Sequence, residues 1–212
     1  MISKKYKCMY IHINKTGGTS IEKVFEEDGG RKCIYRNNNV QCHISSREYK
    51  KKLPENIWDS LFKFSFVRNP WDRFVSLFHY RKVQYDFNDV LNLMSEFYDY
   101  KQKKLNGNKS FIPFQKNIKN TKLRLINHFC SNQLGWISDD DDNLLVDYVG
   151  KFENIDADFK EVCDKINKPF YLPHVNKSKH KHFTEYYSSQ TKDIISKIFA
   201  KDIEKFNYTF DK

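Results

Sequence analysis

No run in this 212-residue chain approaches the ~18 consecutive apolar residues that a membrane-spanning helix needs, so the sequence predicts no transmembrane segment. The opening stretch "MISKKYKCMYIHI" has no signal-type apolar core or cleavage site and runs directly into a strand pattern, which gives the expectation of a cytoplasmic protein. Glycine and proline are scarce, at 7 and 5 residues, whereas 16% of residues are aromatic. That balance excludes a disordered or low-complexity chain and supports a real core. The five cysteines, Cys8, Cys33, Cys42, Cys130 and Cys163, are odd in number and lack a C-x-x-C pair. A disulfide framework and a cysteine zinc site are both excluded, and reduced thiols are expected.

Positive charge is plentiful: the formal net charge is +10. Such a field concentrates any polyanion, whether nucleic acid, acidic polymer or phosphorylated cofactor. The lysines are dispersed, however, and the aromatics fall at core-like spacings instead of forming a stacking platform. Nucleic acid is therefore not expected as a partner, and a basic nucleic-acid-binding module is kept only as an alternative. At ~150 residues per domain the length favours one domain over 1–212.

Residues 6–13, "YKCMYIHI", read as a strand, and "SIEKVFEE" sets Ile21, Val24 and Phe25 on one helix face. A second strand-to-helix unit lies in "KFSFVRNPWDRFVSLFHYRK". Phe64 to Val67 read as a buried strand, Pro70 suits the first helical position, and Trp71, Phe74, Val75 and Phe78 form a core-facing stripe. Residues 46–62 look helical around a break at Pro54, residues 87–100 form an aromatic-rich helix, and 111–138 read as a helical insertion. The insertion on the substrate side would span about 87–138. "NLLVDYVGKFE" reads as a late strand, "IDADFKEVCDKI" as a helix, and "KDIISKIFAKDIEKF" as one terminal helix with Ile194, Ile195, Ile198, Ile203 and Phe206 inward. The class is α/β with a parallel sheet.

The first crossing carries "HINKTGGTSIE", residues 12–22. Glycines between a strand and a helix let backbone N–H groups wrap an anion, and Lys15 adds a point charge. The usual triphosphate loop, G-x-x-x-x-G-K-[ST], has its lysine after the glycines, whereas Lys15 precedes Gly17 and Gly18. That order disfavours a nucleotide kinase or NTPase, which stays the nearest enzymatic alternative. By itself the stretch could also be a turn that merely needs glycine. At the second crossing Arg68 stands at the carboxyl end of a strand, where open α/β sheets bind ligands, and Ser76 follows on the next helix with Asp72 and Tyr80 on its stripe. The pair could hold a second phosphate; a local Arg68–Asp72 ion pair is the plainer possibility.

Together, "HINKTGGTSIE" and "FSFVRNPWDRFVSLFHY" resemble the carbohydrate-type sulfotransferases (sulfotransferase family 2), whose motifs read P-K-T-G-G-T-S and R-N-P-x-D-R-x-x-S. The resemblance continues through "VGKFENIDADF", "LPHVNKS" and "AKDIEKFNYTF". It implies a P-loop NTPase-like three-layer fold with a central parallel sheet flanked by helices. It also implies 3′-phosphoadenosine 5′-phosphosulfate (PAPS) as donor, and a hydroxyl acceptor on a glycan or glycoconjugate. Lys15, Thr16, Gly17, Gly18, Thr19 and Ser20 would form the 5′-phosphosulfate loop, with Lys15 on the bridging oxygen. Arg68 and Ser76 would grip the 3′-phosphate, and Asn176 and Ser178 would approach the adenosine. Asn14 stands where the family commonly has proline.

Sulfuryl transfer to an alcohol needs a base for the hydroxyl proton. "QCHISSREY" is similar to the family segment that carries it, which designates His43, with His128 next in line. Gln133 and Trp136 match the family's insertion and would line the acceptor cleft together with His128. His12 reads as a satisfied core residue, and Phe152 and Glu153 as structural. His174, His180 and His182 lack a persuasive ligand spacing, and the run "DDDD" at 139–142 lacks a calcium-loop pattern, so no metal is expected.

Overall fold

A computed structural model of the chain describes residues 1–26, 29, 34–36, 39–41, 44–80, 85–105, 126, 129–173, 175 and 181–211. It divides into two compact units, Met1–Asn69 with Gln133–Lys179, and Pro70–Asn132 with His180–Lys212.

The first unit is built on a four-stranded sheet in the order β1, β2, β5, β6. Here β1 is Ile2–Ser3, β2 Cys8–Ile11, β5 Phe62–Val67 and β6 Tyr148–Lys151. β1 runs antiparallel to β2, while β2–β5 and β5–β6 are parallel, with Tyr10 opposite Phe64 and Phe66 opposite Gly150. All four residues of β2 and the last five of β5 are buried, as a covered parallel sheet requires. Helix α1, Gly18–Glu26, buries Ile21, Val24 and Phe25 in one cluster with Tyr10, Phe64 and Phe66. Helix α7, Ile155–Lys165, adds Phe159, Val162 and Cys163 to it. The β2-to-α1 loop is thus fixed at both ends by buried apolar elements.

A short hairpin, β3 (Ile34–Arg36) with β4 (Asn39–Gln41), was not legible in the sequence. The helical stretch expected over 46–62 is two helices, α2 (Ser46–Lys52) and α3 (Glu55–Ser60), and Phe62 already belongs to β5. Ser45 and Glu48 form a capping box at the start of α2, and Pro54 has no N–H with which to continue it. The strand expected over 143–153 is confined to β6. The Asp139 carboxylate accepts from the N–H groups of Asp141 and Asn143 and tightens the turn before it, and Phe152–Asn154 form a 3-10 turn after it.

In the second unit α4 is Pro70–Tyr80 and α5 Phe87–Leu105, the latter five residues longer than the sequence suggested. Leu134–Ile137, in the first unit, is the short helix α6 and the only helical turn described within 130–138. Phe78 is half-buried, while Leu77 joins Trp71, Phe74 and Val75 in the core. The single terminal helix expected over 192–206 breaks at Phe199 (φ −110°, ψ 25°) into α8, Ser189–Ile198, and α9, Ala200–Lys205. The break lets Phe199 turn inward, and Ile194 and Ile203 are left half-buried instead of fully inward. The Trp71 indole donates to the Lys192 carbonyl at 3.1 Å, and the Tyr187 hydroxyl donates to the Trp71 carbonyl at 2.9 Å, so the first turn of α4 is tied to the C-terminal segment. Among the described residues no helix is long and apolar enough to cross a membrane.

Candidate functional site

The loop from Ile13 to Gly18 turns the chain from β2 into α1 by two left-handed residues, Lys15 (φ 69°) and Gly17 (φ 81°). That conformation suits glycine but costs a lysine about 1 kcal/mol, and such strain collects where function needs it. Gly17 is required twice over, because a Cβ there would also collide with Ile155 and press on Phe152 at 3.2 Å. Its carbonyl accepts from Ser20 N–H at 3.0 Å and starts α1. The amides of Gly18 and Thr19 occupy the first helical positions, which have no acceptor within a helix and form an anion-facing end with a favourable dipole.

The three hydroxyls of the loop are not equivalent. Thr16 is fully buried and donates to the Ile13 carbonyl at 2.9 Å, so it locks the turn. Ser20 accepts from Val175 N–H at 3.1 Å and anchors the segment just ahead of Asn176 and Ser178. Thr19 alone is exposed.

Arg68, one residue past β5, comes onto this loop. It is 6% exposed, its Nη1 donates to the Lys15 carbonyl at 3.1 Å, and its guanidinium lies 4.1 Å from the centre of the Phe152 ring. Its backbone is held by one side chain: Gln133 Oε1 accepts from Arg68 N–H at 2.8 Å, and Gln133 Nε2 donates to the Arg68 carbonyl at 2.8 Å. The Glu153 carboxylate accepts from Asn69 N–H at 2.6 Å. Gln133, matched by the sequence to an acceptor cleft, is fully buried and acts on Arg68. Phe152 and Glu153, read from the sequence as structural, meet the Arg68 guanidinium and the neighbouring Asn69 amide respectively.

Trp136 is half-buried on α6, its N–H bonded to the Gln133 carbonyl at 3.0 Å. Arg47, in the segment after His43, donates to the Gly135 carbonyl at 3.2 Å and pairs with Asp140. Ser76 is 2% exposed on α4, in the second unit. His43, His128, Asn176 and Ser178 lie outside the described residues. His12, expected inside the first strand, follows it, and its Nδ1 is 2.9 Å from Glu22 Oε1. Among the described residues no group of three or more His, Cys, Asp or Glu side chains could hold a metal ion.

A family model described as "Sulfotransferase family" matches residues 1–209 of the chain. The chain belongs to the sulfotransferase family. Neither the curated proteins nor the solved structures compared with it gave a significant match. Membership supports transfer of a sulfo group as the chemistry, and both motif arginine and motif lysine of this sulfotransferase sit in one place.

Proposed function

We propose that this sulfotransferase moves the sulfuryl group from PAPS to a hydroxyl of a carbohydrate acceptor. The observation that carries the reading is Arg68, of the second motif, held against the backbone of Lys15, of the first. A nucleotide with phosphates on both sides of its ribose is what two such motifs together would recognise. The lysine, the loop amides and the arginine are all cationic or N–H donating, which suits an anionic donor without a metal. The parallel β2–β5–β6 arrangement, with an anion loop after β2, fits a P-loop NTPase-like fold.

In this reading the acceptor oxygen attacks sulfur in line, the bond from sulfur to the 5′-phosphate oxygen breaks, and 3′-phosphoadenosine 5′-phosphate leaves. The acceptor proton passes to His43, and Lys15 with the amides of Gly18 and Thr19 neutralises the charge that grows on the leaving phosphate. Arg68 binds the 3′-phosphate, a role the resemblance also gives to Ser76. Asn176 and Ser178 are assigned to the adenosine and Trp136 to the acceptor by the same resemblance.

Incubation with PAPS and a panel of neutral glycans, read by product mass, tests the proposal. The expected result is a glycan heavier by one sulfo group, with one 3′-phosphoadenosine 5′-phosphate released per product. Magnesium-dependent ATP turnover with no sulfated product would instead favour the NTPase alternative.

A further inference from the structure

His12 lies at a junction that the motif comparison does not assign. It follows β2 on the same side as Tyr10, two residues earlier, and the two rings stack with centroids 5.7 Å apart and planes 20° apart. Tyr10 stacks in turn on Phe64 at 5.1 Å. Glu22 stands four residues after Gly18, on the same face of α1, and the imidazole lies along that face. Its Nδ1 meets Glu22 Oε1 at 2.9 Å, with the side chains only 11% and 8% exposed. A carboxylate bonded to one ring nitrogen fixes the orientation of the imidazole.

The ring, so fixed, bears on the loop. A Cβ on Gly18 would overlap His12 Nε2 and Cδ2. Gly18, unlike Gly17, does not have a left-handed backbone, so what it needs from being glycine is space, and the imidazole fills that space. The first residue of α1 therefore rests directly on His12. Beneath them the buried Tyr10 hydroxyl has no hydrogen-bond partner of good geometry, and burial pushes its pKa well above the ordinary phenol value, Thr16 pulling it down and Glu22 adding to the rise.

We infer that His12 and Glu22 are positioning residues for the loop of Lys15 to Ser20: the carboxylate sets the ring, and the ring sets the Gly18–Thr19 peptide whose amides begin the anion site. Its consequence for the donor rests on the proposed function, and since a misplacement of about 1 Å can cost ~10²-fold in rate, the pair would govern donor affinity and turnover without touching the donor.

The test combines hydrogen exchange of the amides of residues 16–20 with calorimetric binding of 3′-phosphoadenosine 5′-phosphate, on variants shown by circular dichroism to be folded. Glu22→Ala is expected to speed exchange at these amides by ~10-fold or more and to weaken binding ~10–100-fold. Glu22→Gln, which still presents an oxygen to the imidazole, should restore both. Gly18→Ala, whose methyl would displace the ring, should also loosen the loop, and His12→Asn, which withdraws the ring, should speed exchange at the same amides. The inference is overturned if folded Glu22→Ala melts earlier yet keeps wild-type exchange and affinity. Should Glu22→Ala not fold, wild-type exchange in Gly18→Ala overturns it equally. If the wild type does not bind the nucleotide, the donor reading fails, and exchange alone still decides the positioning role.

Discussion

The Arg68 guanidinium donates to the carbonyl of Lys15, 53 residues earlier in the chain, at 3.1 Å, and Lys15 holds a left-handed backbone where it accepts that bond. The strained residue and the arginine that braces it are the same two residues whose charges the proposed donor needs. Stability and binding are therefore coupled at this contact, and substitutions should reveal it.

Arg68→Ala should weaken binding of 3′-phosphoadenosine 5′-phosphate by ~10–150-fold, the equivalent of the ~1.5–3 kcal/mol carried by a hydrogen bond to a charged group. Arg68→Lys keeps the charge but not the planar stack on Phe152, so its recovery should be partial. Calorimetry on the folded variants checks both, and normal binding by Arg68→Ala would remove Arg68 from the donor site.

Gln133→Ala should be costly through the Arg68 backbone alone. It leaves the buried N–H and carbonyl of Arg68 without the amide that spans them, for ~2–3 kcal/mol of lost stability. Urea unfolding at constant m-value would show it. A change below ~0.5 kcal/mol would mean that the Arg68 backbone finds other partners.

Stability should decline in alkali. Burial pushes the thiols of Cys8 and Cys130 up to about 12 and that of Cys163 up to about 11. An unfolded thiol titrates near ~8.5, so above that pH the unfolded chain has released protons that the folded chain keeps. The contribution is present in full below ~8.5 and is lost as pH rises through about 11 to 12. Buried Tyr10 and half-buried Tyr187, both raised by desolvation, add the same sign. Urea midpoints at pH 8 and pH 10 should differ, and Cys8→Ala should reduce the difference. A flat profile would contradict the burial of these groups.

His43→Ala and Lys15→Ala should separate chemistry from binding. If His43 is the base, its loss should leave donor affinity unchanged and lower turnover ~10²–10⁴-fold, and wild-type activity should fall as pH drops through an imidazole value near ~6.5. Lys15→Ala removes charge from both bound donor and leaving group, so affinity and rate should fall together. Normal turnover by His43→Ala would move the base, with His128 the next to test.

Much of the first unit was legible because its signals are local. Four buried residues in β2, a glycine pair and the Ile21, Val24 and Phe25 face each follow from spacing over a few residues. The hold on the Arg68 and Asn69 backbone was not, because Gln133 reaches Arg68 across 65 positions and Glu153 reaches Asn69 across 84, and neither side chain carries a periodicity that points to its partner. A lone histidine within a strand pattern reads as a satisfied core residue, and the sequence alone gives His12 no other role. The signal that could have found it was Glu22 four residues after Gly18, on the helix face toward which a strand-end histidine would lean. The break at Phe199 is not legible in the sequence because the apolar pattern runs unbroken from α8 into α9, and periodicity does not register a change of axis.

The most direct test of the account is calorimetric titration, in EDTA, of the wild-type protein with 3′-phosphoadenosine 5′-phosphate, with adenosine 5′-phosphosulfate, which lacks the 3′-phosphate, and with ATP. The account expects the first to bind at least ~10-fold more tightly than either of the others, because Arg68 rewards a 3′-phosphate with a charge-assisted hydrogen bond. Equal affinity for all three, or binding of ATP alone, would contradict it.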